Sequence, residues 1–366
     1  LLARSGFSAG PAEIESLGEI SRAEAVAKIL AEAQHRARLG PVTPPPSWTF
    51  SWTPPRPARM SEAERLALRD TLREQALELK AWWAREMLDS PAQLTEVMTL
   101  FWHGHFTSSL TKVKAPVLLY RQNLLLRHHA LGNFGELLRA VARDPAMLLY
   151  LDNARSRKQA PNENFARELL ELFTLGEGHY AEADIKAAAR AFTGWSLDLD
   201  SGAFRFRPRL HDSGQKQFLG QEGAFNGDEI IDILLARPET AELIVTKLWR
   251  HFISERPDPA TVERLAQVFR DADYETMPLL SALFTSDAFW AAENRGRLIK
   301  SPVDFVIGSL RLFDLPVRRD ADMAWLSLRL GQDLFEPPDV QGWPGGTAWI
   351  SGASLLTFSG GSLAPG

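Results

Sequence analysis

The stretch Leu131-Gly132-Asn133-Phe134-Gly135-Glu136, followed by Asp144-Pro145-Ala146-Met147, sets the fold class. Gly132 stops one helix, and Asn133 with Glu136 opens the next as a capping box. Asp144 then puts a cap directly ahead of a proline at the first helical position. The same punctuation recurs outward in both directions, at Ser61 with Glu64 and at Ser90-Pro91, Asp258-Pro259 and Ser301-Pro302. These signals predict helices over 61–87, 90–106, 115–131, 133–143, 145–153, 162–175 and 182–194. In the second half they predict helices near 227–236, 239–254, 258–272, 276–287 and 301–314, with a short one near 321–332. Residues 11–39 read as two helices, the second (Arg22 to Arg38) rich in Ala, Leu, Glu and Lys. No fixed-period repeat is visible.

Three stretches interrupt the helices. From Pro41 to Pro57, prolines alternate with Trp48 and Trp52. Each proline fixes φ and biases its predecessor away from helix, so this is an extended linker draped over the domain or a Pro/Trp recognition segment. From Trp195, alternation in Ser196-Leu197-Asp198-Leu199, a turn at Asp200-Ser201-Gly202 and renewed alternation in Phe204-Arg205-Phe206-Arg207 predict a hairpin. His211 to Lys216 follows it as a polar loop. From Pro337 to Gly366 the chain is rich in loop residues, and Ser359 to Gly366 reads as disordered or cut short.

The expected fold class is therefore mainly α, a single large multi-helix domain with a small β-hairpin insertion. Its stretches are N-terminal helices and Pro-rich linker (1–60), helical core (61–195), hairpin and His-Asp loop (196–226), and C-terminal helices with a Trp/Gly/Pro-rich loop (227–366). A length of 366 residues allows this or two smaller domains.

Composition removes several function classes. A net charge of −5 provides no global field for polyanions, which argues against general nucleic-acid binding. No apolar run reaches the about 18 residues of a membrane span. With no cysteine, thiol nucleophiles, iron–sulfur ligation, thiolate zinc sites and c-type haem attachment are excluded. Eleven Trp and 20 Phe against four Tyr predict an aromatic interior. The chain starts at Leu1 without an initiator Met, as expected of a processed or trimmed form.

Three polar clusters could carry chemistry. In Phe101-Trp102-His103-Gly104-His105-Phe106, His105 shares the apolar face of Val97, Met98 and Phe101, while His103 points nearly opposite. Spaced at i and i+2, they could share a metal only if the helix unwound at Gly104; otherwise His105 is a buried hydrogen-bonded side chain. In the run Asn162 to Thr174, Phe165, Leu169, Leu172 and Phe173 form a core stripe, and Glu163, Arg167, Glu171 and Thr174 a polar one. The polar stripe is either a solvated ion-pair ladder or a partly buried acidic row in which Arg167 keeps carboxylates ionised. His211-Asp212 with Lys216 is an acid–base unit, a ligand pair, or a turn tied to its own backbone. No H-E-x-x-H, G-x-S-x-G, G-x-x-x-x-G-K or G-x-G-x-x-G motif occurs.

Taken together, several motifs resemble one bacterial family, domain-of-unknown-function family 1800. They are Phe101 to Phe106, Leu131 to Phe134, Asp144 to Met147, Pro161 to Gly176, Ala191 to Trp195, His211 to Gly214 with Phe218-Leu219-Gly220, Lys300-Ser301-Pro302, and Gln341 to Gly346. The resemblance spans nearly the whole chain in order. It supplies no established reaction. It implies export to the periplasm or outside the cell, often by the twin-arginine route, and frequent genomic pairing with a sulfatase-like exported protein. The chain departs from the family at Ala181, which replaces a capping Thr, and in ending sooner after Trp349.

The functional expectation is an exported, metal-assisted enzyme, hydrolytic or oxidative, acting on an envelope or extracellular substrate. His103, His105 and Glu168 would hold a divalent metal ion; Glu163, Arg167, Glu171, His211, Asp212 and Lys216 would serve catalysis. The rival expectation is a non-catalytic scaffold or maturation partner of the sulfatase-like protein, using the Pro41–Pro57 segment and the Trp343–Trp349 loop as contact surfaces. Carbohydrate binding through exposed Trp is a third.

Overall fold

In the computed structural model the capping signals at Ser61, Asn133 and Asp144 act as the sequence predicts. Ser61 and Glu64 exchange bonds at the start of a long helix: Ser61 N–H donates to the Glu64 carboxylate at 2.7 Å and Glu64 N–H donates to Ser61 Oγ at 3.3 Å. Asn133 and Asp144 each accept from the third residue of their helices, at 3.1 and 2.9 Å. The structure describes residues 1–50, 52 and 60–350. Its helices are α1 (Leu2–Ser5), α2 (Pro11–Gly18), α3 (Arg22–Leu39), α4 (Glu62–Asp89), α5 (Gln93–His105), α6 (Leu110–Val113), α7 (Pro116–His128), α8 (Phe134–Ala142) and α9 (Pro145–Tyr150). They continue as α10 (Glu163–Glu168), α11 (Glu182–Ala191), α12 (Gly227–Leu235), α13 (Pro238–Phe252), α14 (Pro259–Asp271), α15 (Thr276–Thr285), α16 (Asp287–Trp290), α17 (Pro302–Leu312) and α18 (Asp320–Arg329). The fold is mainly α, and among the described residues strands pair in two small antiparallel hairpins.

Three expectations need correction. Ser90-Pro91 does not open a helix: Ser90 N–H closes α4 on Glu86 O, and α5 begins only at Gln93, whose side-chain amide donates to Ser90 O. The hairpin β1 (Trp195–Leu197) and β2 (Phe204–Phe206) forms as read, pairing Trp195 with Phe206. The polar loop beyond it, however, ends in a second hairpin, β3 (Lys216–Phe218) with β4 (Gln221–Gly223). Its turn holds Leu219 at φ 47°, a left-handed conformation costly for a side chain that bulky, and Asp184 supports it by accepting Leu219 N–H at 2.7 Å. Third, the helix from Glu163 changes pitch. Leu169–Thr174 is a π-turn, in which Leu175 N–H bonds back five residues to Leu170 O and Thr174 Oγ reaches Leu169 O. A stripe drawn at roughly 100° per residue therefore fails there: Thr174 is buried and Leu172 is not fully so.

One contiguous apolar core links buried residues from Phe7 to Phe335. Helix α5 runs through it, buried on nearly every side. That burial requires its one charged residue to be neutralised, and Glu96 meets Arg127 of α7 through two bonds of 2.7 and 2.8 Å, with both side chains almost inaccessible. Trp83 Nε1 donates to the same carboxylate. The proline-rich stretch is tied to α4 as far as it is described: Glu86 accepts Val42 and Thr43 N–H, and Trp82 Nε1 donates to Thr43 O. The cluster Pro54, Pro55 and Pro57, and the terminal residues from Ser359, lie outside the described residues. Among the described residues no helix is long and apolar enough to cross a membrane.

Candidate functional site

Helix α5 remains helical through Gly104 and His105, so its two histidines face different neighbours. His103 is fully buried between the rings of Trp83, Phe335 and Trp343, with centroids 5.3–5.4 Å away. Neither of its ring nitrogens has a hydrogen-bond partner, and burial pushes its pKa down to about 3. It is a neutral ring in an aromatic box. His105, on the other face, places Nδ1 2.9 Å from Lys247 Nζ. Burial, then the charge of Lys247, holds His105 well below the usual histidine range.

Lys247 was not among the residues singled out from the sequence. It projects from α13, and its Nζ also donates to Leu172 O at 2.9 Å. The π-turn explains why that carbonyl is available: Leu175 and Gly176 N–H both bond to Leu170 O, which leaves Leu172 O without a backbone donor. Burial and nearby Arg250 lower the Lys247 pKa to about 8. A signal existed in the spacing Lys247, Arg250, His251, which places three basic side chains on one face of α13.

Lys247, His105 and His251 line a cleft of about 670 Å³ closed on one side by Gln341 to Gly346. Five basic residues border it, Arg4, Lys247, Arg250, Arg295 and Lys300, against two acids, Glu255 and Asp304. Asp304 is already engaged, accepting Ser301 N–H and Oγ at the start of α17. Among the described residues Arg250, Arg295 and Lys300 have no carboxylate partner. A chain of net charge −5 thus gathers cations without an ion-pair partner at this cleft.

The other expected site residues lie off this cleft. Arg167 pairs with Glu182 at 2.8 Å and more loosely with Glu163 at 3.7 Å, all three substantially exposed. Glu171 accepts from Tyr180 Oη at 2.7 Å. The row is a surface ladder that fastens α10 to the start of α11, where Ala181 offers no capping side chain and Asp184 instead accepts its N–H. Glu168 is buried; burial and neighbouring Glu171 raise its pKa. It does not join His103 and His105, and among the described residues no group of three or more His, Asp or Glu is placed to hold a metal ion.

The His-Asp loop is a turn bonded within itself and to the end of α11. His211 Nδ1 lies 2.9 Å from Thr193 O. Arg190 grips both oxygens of Asp212, holding its pKa down to about 2. Lys216 is buried, with Nζ donating to Asp212 O and Gly214 O at 2.7 and 2.9 Å. Of the three clusters, only His105 and the backbone of the π-turn meet, through Lys247.

The architecture is a mainly helical body with a basic cleft where α5, α13 and the Gln341–Gly346 loop come together. The chain belongs to the family described as Protein of unknown function (DUF1800), whose sequence model matches residues 1–359. No curated protein and no solved structure matches it significantly.

Proposed function

We propose that the chain is an enzyme whose active site is this cleft, acting on a small anionic substrate. The observation that carries the reading is that, among the described residues, Arg250, Arg295 and Lys300 line the cleft without an ion pair, so its five basic residues outnumber the two acids, Glu255 and Asp304. Like charges gathered in a concavity repel one another and cost stability, while they focus field on whatever enters. A bound anion relieves that repulsion. Lys247, with His105 behind it, is the group suited to move a proton or attack the substrate. Export to the periplasm or beyond remains part of the proposal, carried by the family resemblance, and would give the cleft access to phosphate- and carboxylate-bearing envelope compounds. The metal-assisted form has weaker support, because His105 Nδ1 is committed to Lys247 and Glu168 stands apart.

The test is calorimetric titration of the purified protein with oxalate and inorganic pyrophosphate. Binding that disappears in Arg250→Ala/Lys300→Ala supports the reading; the same heats in both proteins reject it.

A specific observation favours the second reading, a non-catalytic partner of the sulfatase-like exported protein. Phe313 and Leu315, between α17 and α18, and Trp325, within α18, are 66%, 49% and 55% exposed. Large apolar groups left in water in this way mark contact surfaces. Of the two expected surfaces, Trp343 packs on His103 and Trp48 Nε1 donates to Glu78. Co-purification of the two proteins that fails with Phe313→Ser/Trp325→Ser would support this reading, and no complex at micromolar concentration would remove it.

A further inference from the structure

We propose that Lys247 is an imine-forming nucleophile for an aldehyde or ketone that carries an anionic group. This rests on the reading of the cleft as an anion site and names the chemistry it would perform.

Geometry carries the argument. Two acceptors stand within hydrogen-bond reach of Nζ, His105 Nδ1 and Leu172 O, each at 2.9 Å. A neutral amine has two hydrogens and matches them, which leaves its lone pair at the fourth tetrahedral vertex. An ammonium would carry a third hydrogen with no protein acceptor among the described residues. No carboxylate pairs with Lys247, whereas Lys80 and Lys112 each meet an aspartate, and Lys216 is consumed by two carbonyls. A lysine that is nearly buried, unpaired with any acid and one helical turn from Arg250 is held in the setting that keeps an amine nucleophilic near neutral pH. The π-turn is part of the device, since it frees the Leu172 carbonyl that orients the amine.

If Nζ only capped that carbonyl, the cap would need no opening to a cleft. Lys247 does line the cleft, together with the apolar Phe101 and Trp343 and the cationic Arg250, Arg295 and Lys300. A ligand with a carboxylate or phosphate beside its carbonyl meets all three features.

The step balances without an oxidant or reductant. The Nζ lone pair forms a bond to the carbonyl carbon while the C=O π pair moves to oxygen. One N–H proton transfers to that oxygen, giving a carbinolamine. The hydroxyl then leaves with the second N–H proton as water, and C=N forms. His105 takes no part in bond making; it is a positioning residue that fixes the amine's direction.

The test is reductive trapping. The full chain is incubated at pH 7.5 with glyoxylate, or with neutral propionaldehyde, in the presence of cyanoborohydride, and the modified lysines are mapped by peptide mass. The expected result is a reduced glyoxylate adduct at Lys247 that forms at least tenfold faster than at exposed Lys28, Lys158 or Lys186. It should also outpace propionaldehyde at Lys247 by a similar factor. Lys247→Arg should lose the adduct, and His105→Phe should slow it and move its pH midpoint downward, because it removes an acceptor from the ammonium and adds apolar burial. Should either variant fail to fold, the wild-type map still decides. No adduct at Lys247, or one no faster than at the exposed lysines, overturns the proposal. Equal trapping by both aldehydes overturns the anionic substrate class. Oxalate titration of the same sample separates the two readings: oxalate bound without an adduct removes the nucleophile alone, and neither signal removes both.

Discussion

Gly342 packs directly on Gly104. A Cβ at position 342 would stand 3.1 Å from the Gly104 carbonyl carbon and closer still to its oxygen. This approach seats the Gln341–Gly346 loop on the end of α5 and presses Trp343 against His103. Gly342 also sits at φ +90°, where a side chain is strained whatever the space. Gly342→Ala should therefore destabilise by more than about 2 kcal/mol, combining backbone strain with a clash that displaces the loop. Gly220→Ala is the control, because Gly220 has φ +81° with nothing near its missing Cβ. Urea unfolding should show the larger loss at 342, accompanied by a shift in tryptophan emission; equal losses would show that the close approach carries no weight.

The Glu96–Arg127 pair should respond asymmetrically to mutation. Removing Arg127 alone leaves a carboxylate buried in the core, at a cost of about 3–5 kcal/mol. Replacing both residues by apolar side chains of similar size, Glu96→Leu with Arg127→Met, should recover most of that loss. A double variant as unstable as Arg127→Met would mean the pair contributes more through its bonds to Trp83 and Asn123 than through charge compensation.

Asp144 gives a pH dependence. Burial raises its folded pKa to about 7, whereas the unfolded chain titrates near 3.8. Between those values the folded state binds more protons than the unfolded state, so this residue's contribution falls as pH rises from 4 to 7. Met147 N–H and Gln122 Nε2 both donate to the single oxygen Oδ2. An asparagine carbonyl can take that position and keep the cap. Asp144→Asn should thus gain on the wild type by about 1 kcal/mol or more between pH 4.5 and pH 8, read by urea midpoints. A constant difference across that range would contradict the raised pKa.

Arg167 bonds Glu182 and approaches Glu163 on the surface. Arg167→Ala should leave both the thermal midpoint and oxalate binding unchanged, because exposed pairs of this kind are screened by water and salt. A loss of binding would return the acidic row to the site.

These contrasts trace what the sequence could and could not reveal. Helix starts were legible because a cap is a local bargain among four residues, as at Ser61 and Glu64. The β3–β4 hairpin was not, since Leu219 keeps its left-handed turn through Asp184, 35 residues away. The π-turn was hidden because periodicity assumes a constant pitch, and Leu169–Thr174 departs from it. His105 was picked out correctly as a buried polar group on an apolar face, but its partner lies 142 positions along the chain. The cleft cations come from α1, α13 and the segment before α17, and only folding gathers them. For His211, Asp212 and Lys216 the sequence shows only polar density in a loop; the structure adds bonds to its own carbonyls and to Arg190 and Thr193 at the end of α11.

Whether the cations around Lys247 hold an anion is decided by calorimetry of oxalate binding at low ionic strength, in the wild type and in Arg250→Ala/Lys300→Ala. The wild type should bind with one site per chain, weakening as salt is added, and the double variant should bind at least tenfold more weakly. Absence of heat in the wild type, or equal affinity in both, would contradict anion binding there.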